Sequence, residues 1–160
     1  MSKALWPKRR SESRAIVRLA QPVGDTFGKI GVHTVTFEGN LPYTTSLVGY
    51  SLDRNNGNDP TLHRGCYVHE VVDGRLYHDC DATAGVSGGP LLNLINGNQY
   101  IVGMTVSEFR RGSNGSVTRD GYSREYANVA IPSAGFASVV TTLLQTADVD
   151  VAAPQAADVL

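Results

Sequence analysis

The sequence predicts an all-β domain that ends in one helix, on three observations. Short apolar and β-branched runs recur along the chain, and turn residues separate them. The 160 residues include 17 glycines, which suits the tight turns of an antiparallel domain better than a helical bundle or βαβ units. Helical periodicity is found after Ser133.

Composition and charge exclude several function classes. Apolar residues make up 41% and charged residues 18% of the chain, which favours a folded domain with a buried core. The net charge of −1 excludes a broadly basic nucleic-acid-binding surface. The longest uncharged stretch, 126–147, is too polar to span a membrane. We therefore expect neither a nucleic-acid partner nor a membrane segment.

Eight runs are predicted strands, and two of their connections carry hairpin chemistry. The runs are 15–19, 32–37, 46–52, 67–72, 76–79, 91–95, 100–107 and 126–131. Asp73-Gly74 joins the fourth run to the fifth, and Asn96-Gly97 joins the sixth to the seventh. These dipeptides supply the positive φ that tight antiparallel hairpins need. The longer connections, 53–64 and 110–123, are predicted exposed loops.

The ends of the chain differ from its middle. Ser133 is a predicted N-cap, and one apolar helix face follows it: Phe136, Val139, Val140, Leu143 and Leu144.

The basic segment 1–13 is predicted to be a solvated tail rather than a phosphate-binding arm or a transit peptide. No apolar run follows Met1, so no secretory signal is predicted. Residues 146–160 are predicted to fray, which leaves 14–145 as the domain.

The two cysteines, Cys66 and Cys80, lie 14 residues apart on either side of the Asp73-Gly74 turn. This spacing favours a disulfide that closes a hairpin, with two buried thiols as the alternative. Without a CxxC motif or a histidine pair, the case for a metal is weak. We therefore expect no metal and no cofactor.

The segment from Gly85 to Pro90 contains the pattern GxSGGP. A nucleophilic serine needs backbone N–H donors where a carbonyl oxygen becomes negative, and glycine lets the chain turn its amides inward. Here Ser87 would be the nucleophile, and the amides of Gly85 and Ser87 would form the oxyanion hole. Gly88 and Gly89 would allow close backbone packing behind the serine. The alternative is a glycine-rich turn with an incidental serine.

With this motif, the chain resembles the trypsin-like serine proteases of the chymotrypsin fold, in detail their bacterial members related to the glutamyl endopeptidases. Further similar segments are 14–23, 48–51, 100–104 and 128–131, together with the Cys66–Cys80 hairpin. The resemblance implies an antiparallel β-barrel equivalent to the second barrel of such a protease, with the first barrel's last strand at 14–19. It also implies a secreted or periplasmic protein without a cofactor.

The chain departs from this family at the partners of the serine. In the family a histidine and then an aspartate precede the serine, whereas all four histidines here follow residue 32. The place of the aspartate falls on Ser13. His33, His63, His69 and His78 are interpreted as ordinary surface or barrel residues. Because a serine hydroxyl is a poor nucleophile without an oriented base, the chain is predicted to be inactive as it stands.

Two residues are candidates for a specificity pocket. Asp81 lies six residues before Ser87, where trypsin carries the aspartate of its pocket, but a turn-capping role is the alternative. Thr105 follows Gly103-Met104 where the glutamyl endopeptidases have a histidine, so glutamate specificity is not expected. Val86 replaces the acid that trypsin has before its serine, so activation by a new N-terminus is not expected either.

Two functions follow from these residues. The first is a serine endopeptidase by descent that acts on polypeptides through Ser87, with the histidine and aspartate on sequence not included here. The second is a non-catalytic binding module in which the substrate cleft has become an interaction surface. In both cases, a single barrel would leave exposed the apolar face that normally contacts the other barrel, so self-association is expected.

Overall fold

The computed structural model describes residues 15–107 and 122–147. The basic segment 1–13, most of the predicted loop 110–123 and the tail beyond residue 147 lie outside the described residues. The described helices include none that is long and apolar enough to cross a membrane.

The two described ranges contain seven strands and two α-helices. The strands are β1 (Gly31–Val32), β2 (Tyr43–Gly49), β3 (Thr61–Val72), β4 (Arg75–His78), β5 (Pro90–Ile95), β6 (Asn98–Ser107) and β7 (Asn128–Pro132). The helices are α1 (Gly24–Phe27) and α2 (Ala137–Ala147). Short 3-10 turns lie at Asn55–Gly57, Arg124–Tyr126 and Ser133–Gly135.

Strands β2 to β7 close into a six-stranded antiparallel barrel. Their order around the barrel is β2, β3, β4, β7, β6 and β5, and β5 pairs with β2 again. Closure removes free strand edges from the barrel, because each strand hydrogen-bonds to two neighbours. β1 lies outside this ring and runs parallel to β6. The predicted all-β barrel with a C-terminal helix is confirmed.

Both predicted hairpins are confirmed at the predicted turns. Val72 pairs with Arg75 across Asp73-Gly74, and Ile95 pairs with Asn98 across Asn96-Gly97. All four turn residues have positive φ, between 50° and 79°. Two successive positive φ values define the type I′ turn, whose twist matches that of the adjoining strands.

The barrel interior is filled by the inward-facing apolar side chains of the strands. They form one cluster around the fully buried Val68, Leu76, Leu91 and Val102. The predicted disulfide is present at the edge of this cluster. It joins Cys66 in β3 to Cys80 after β4 with a Cα–Cα distance of 4.9 Å, and both residues are buried.

The predicted exposed loop 53–64 is wrong at its end, because β3 begins at Thr61. Two predicted strands and the predicted helix cap are also wrong. Residues 15–19 form no strand, because they pair with no other strand and their apolar side chains, such as Leu19, are mostly exposed. In the predicted strand 32–37 the pairing stops at Val32. Ser133 is fully buried and donates its hydroxyl to the His33 carbonyl at 2.7 Å, so it does not cap α2, which begins at Ala137.

Candidate functional site

The GxSGGP motif forms a loop of two overlapping turns that leads into β5. The N–H of Val86 donates to the Thr83 carbonyl at 3.2 Å, and the N–H of Gly89 donates to the Val86 carbonyl at 2.7 Å. The third residue of each turn is a glycine with positive φ, +101° at Gly85 and +91° at Gly88. A type II turn requires this conformation at that position. We call residues 83–89 the serine loop.

Close backbone packing explains two of the three glycines. A Cβ on Gly85 would lie 2.6 Å from the Tyr50 carbonyl oxygen, and one on Gly89 would lie 2.6 Å from that of Val48. Any larger residue at either position would therefore displace the end of β2 or the segment after it. Gly88 has no atom within 4 Å of a Cβ, so its positive φ alone calls for glycine there.

The serine loop is fixed to the barrel on two sides. On one side, the Thr105 carbonyl accepts the Gly88 N–H at 2.7 Å, and the Thr105 N–H donates to the Gly89 carbonyl at 2.9 Å. On the other side, the Leu52 N–H donates to the Ala84 carbonyl at 2.8 Å. These bonds hold the loop between β6 and the segment after β2.

Ser87 lies at the exposed tip of the serine loop. Its neighbour Val86 is 2% exposed and belongs to the barrel core, so the chain turns its next side chain toward solvent. Within the described part of the chain, the N–H groups of Gly85 and Ser87 donate to no other group. The two predicted oxyanion-hole donors therefore have no partner among the described residues.

The Ser87 hydroxyl bonds to no described residue, and His33 and His63 have other neighbours. The ring of His33 lies against Tyr100, with the ring centroids 5.4 Å apart. Nδ1 of His63 accepts the Asp81 N–H at 2.7 Å. Neither of these histidines hydrogen-bonds to Ser87.

His69 does have a carboxylate partner, which the sequence did not indicate. Its Nε2 lies 2.8 Å from Asp79 Oδ2, while Asp79 Oδ1 accepts the Tyr67 N–H at 2.6 Å. The ring of Tyr122 stacks on the imidazole with a centroid distance of 4.0 Å. The stacked tyrosine and the aspartate hold His69 on the outside of β3.

Glu70, next to His69, joins the same surface network. Its carboxylate accepts hydrogen bonds from the Tyr122 hydroxyl, at 2.8 Å, and from the guanidinium of Arg124. The bonds from Arg124 and then from Tyr122 lower the pKa of Glu70, because they stabilise its charged form. Burial and the bond to Glu70 raise the pKa of the Tyr122 hydroxyl. This network fastens the segment before β7 to β3.

His78 is the histidine of the barrel interior. Its side chain is fully buried, and neither ring nitrogen has a hydrogen-bond partner in the described part of the chain. Burial lowers the pKa of His78 to about 4, because the charged imidazolium loses its hydration there. His78 is therefore neutral at pH 7. The Thr105 hydroxyl is likewise buried and without a partner.

The two candidate specificity residues have different surroundings. Asp81 lines a small cleft of about 90 Å³ with Ser51, Asp53 and His63. Thr105 faces the barrel interior and contacts the serine loop through its backbone. The carboxylate that accepts a backbone N–H, that of Tyr67, belongs to Asp79 and not to Asp81.

One group of potential metal ligands occurs in the described ranges. Cys66, Asp79 and Cys80 have ligand atoms within 4.8 Å of one another. Both sulfurs are consumed by the disulfide, and a disulfide sulfur is not the thiolate that binds a metal. The group therefore offers a metal one carboxylate in this state.

Comparison with known proteins assigns no family to the chain. Neither a protein-family model nor a curated protein matches it.

Proposed function

We propose that the chain is the serine-bearing barrel of a trypsin-like endopeptidase, built to hold Ser87 and an oxyanion hole but without the base that activates the serine. The observation that carries the proposal is the pair of free N–H groups at Gly85 and Ser87 on either side of the buried Val86. Donors fixed in this way need no reorganisation when negative charge develops on a carbonyl oxygen.

In the proposed reaction, Ser87 Oγ attacks the carbonyl carbon of a peptide bond while a base takes the hydroxyl proton. The resulting oxyanion accepts hydrogen bonds from the amides of Gly85 and Ser87. Collapse of the intermediate expels the amine, which receives the proton from the base, and leaves an acyl group on Ser87 that water later removes. In this proposal the base lies on sequence not included here, because none of the four histidines hydrogen-bonds to Ser87 in the described part of the chain.

A second function is a binding module of the same fold. It is favoured by the arrangement of the histidines, since none of the four hydrogen-bonds to Ser87 in the described part of the chain. In such a module the serine loop would recognise a ligand without reacting with it. The two functions differ in whether Ser87 forms a covalent bond once a base is provided.

Chemical rescue tests the proposed function. The chain is incubated with a p-nitrophenyl ester, with and without free imidazole as the missing base, and the acyl group is located by mass spectrometry of peptides. We expect an acyl group on Ser87 that depends on imidazole and is absent from Ser87→Ala. Ser138→Ala is the matched control, because Ser138 is also an exposed serine but lies on α2.

The rescue experiment has a clear contrary result. Acylation that is spread over lysines and other serines, and is the same in Ser87→Ala, would show that the serine loop does not activate its serine. The proposal of a protease barrel would then be withdrawn in favour of the binding module.

A further inference from the structure

We propose that the serine loop binds the free carboxylate at the C-terminal end of a polypeptide. The inference rests on the same loop geometry as the proposed function, but it requires no reaction at Ser87. It names the ligand that this loop recognises when no base is present.

The loop offers hydrogen-bond donors with no acceptor of their own. The N–H groups of Gly85 and Ser87 are unpartnered in the described part of the chain, and the Ser87 hydroxyl lies beside them at the same exposed tip. Backbone N–H groups of a turn can form an anion-binding concavity. An ionised carboxylate has two oxygens that only accept, so it can bind more than one of these donors.

Without a base, a carboxylate is a more stable ligand of the serine loop than a peptide carbonyl. A peptide carbonyl is neutral until the serine attacks it, and that attack needs a base. A carboxylate carries its negative charge before it binds, and hydrogen bonds to a charged acceptor are shorter and stronger than those between neutral groups. Because none of the four histidines hydrogen-bonds to Ser87 in the described ranges, the charged ligand is favoured.

The surface beside the loop indicates which residue carries the carboxylate. The side chains of Tyr50 and Leu52 are 54% and 53% exposed. A Cβ on Gly85 would lie 3.3 Å from Leu52 Cγ, and the Leu52 N–H donates to the Ala84 carbonyl at 2.8 Å. An exposed apolar side chain thus lies next to one of the donors. The ligand class is a polypeptide whose last side chain is apolar.

An NMR titration of the whole chain tests this inference. The probes are an acetylated pentapeptide that ends in leucine with a free carboxylate and the same peptide with a C-terminal amide. We expect the free acid to shift the amide protons of Gly85 and Ser87 in a saturable manner. The amide form should bind about tenfold more weakly, since it lacks the charge that makes these hydrogen bonds strong.

Two exposed leucines provide a matched pair of variants. Leu52→Ala should weaken binding of the free acid several-fold, whereas Leu94→Ala on β5, where the side chain is 61% exposed, should leave it unchanged. Both leucines are exposed, so neither substitution is expected to impair folding.

Equal affinity for the free acid and the amide would overturn the inference. So would saturable binding that leaves the Gly85 and Ser87 amides unchanged. The two proposals fail separately: if Ser87 is acylated in the presence of imidazole but the free acid does not bind, the protease barrel stands and carboxylate recognition falls. Carboxylate binding without acylation would give the reverse conclusion.

Discussion

The exposure of Ser87 is determined by its neighbours on both sides. Val86 inserts into the barrel core, where it lies against Gly49, and Gly88 turns the chain back with its positive φ. The Gly88 N–H donates a hydrogen bond to the Thr105 carbonyl. The serine hydroxyl and two amides are left at the surface, which is the arrangement that either proposed function requires.

At the scale of residues, sequence reasoning identified the loop but not its attachments. The close approach predicted for Gly89 is confirmed by the Val48 carbonyl, whereas Gly88 is required for its backbone conformation rather than for packing. The bonds from Thr105 to the loop could not be predicted. They join residues far apart in the sequence, and a local pattern carries no signal for such pairs.

The buried His78 predicts a pH dependence of stability. Its folded pKa of about 4 lies below the ordinary value of 6.5. His78 therefore binds a proton more readily in the unfolded chain than in the folded one. Its contribution to the unfolding free energy is complete above pH 6.5 and is lost as the pH falls toward 4. The full loss is about 3 kcal/mol of unfolding free energy, on the scale of 1.36 kcal/mol per pKa unit.

Urea unfolding between pH 4 and 7.5 measures this dependence. His78→Leu should flatten the curve between pH 4 and 6.5, because a neutral side chain replaces the titrating one. His33→Gln, at an exposed position, should reproduce the wild-type curve. Identical slopes in wild type and His78→Leu would show that another group is responsible.

At the scale of elements, the predictions that succeeded rest on local chemistry. Asp73-Gly74 and Asn96-Gly97 determine their hairpins, because the positive φ of the turn residues follows from the dipeptides themselves. The prediction for residues 15–19 failed because apolar composition does not provide a strand partner. Ser133 failed as a cap because the His33 carbonyl, a hundred residues earlier, takes its hydroxyl.

The Cys66–Cys80 disulfide ties β3 to the segment that leads into the serine loop. Cross-linking a 15-residue loop contributes about 3 kcal/mol in the chain-entropy account. We therefore expect the double substitution Cys66→Ser and Cys80→Ser to lower the unfolding free energy by about that amount, as measured by urea denaturation. The same denaturation of wild type under a reductant serves as the control.

Mass spectrometry without reductant gives an independent check on the disulfide. Protein recovered from an oxidising compartment should lack the two thiol hydrogens. Two alkylatable thiols in that material would contradict the prediction.

At the scale of the whole molecule, the barrel leaves many apolar side chains uncovered. Before β1, Phe27 is 83% exposed, and Val17, Leu19 and Ile30 are each more than half exposed. Tyr50 and Leu52 are exposed beside the serine loop. Exposed apolar side chains favour association where they form a patch.

Sedimentation velocity tests the predicted self-association. We expect a sedimentation coefficient that rises with concentration up to tens of micromolar. The paired substitutions Leu19→Ser and Phe27→Ser should weaken that rise, while Leu94→Ser on the barrel wall serves as the control for a single apolar side chain. A monomer that persists over the whole concentration range would contradict the prediction.

We propose that the serine loop is assembled but that its serine lacks a base. Labelling of the chain with a fluorophosphonate probe, without added imidazole, tests this most directly. Loss of the base leaves roughly 10³ to 10⁴ of rate enhancement over water in a triad protease. We therefore predict labelling of wild type no stronger than that of Ser87→Ala. Strong labelling that Ser87→Ala abolishes would contradict the account, because it would show that a base within the chain activates Ser87.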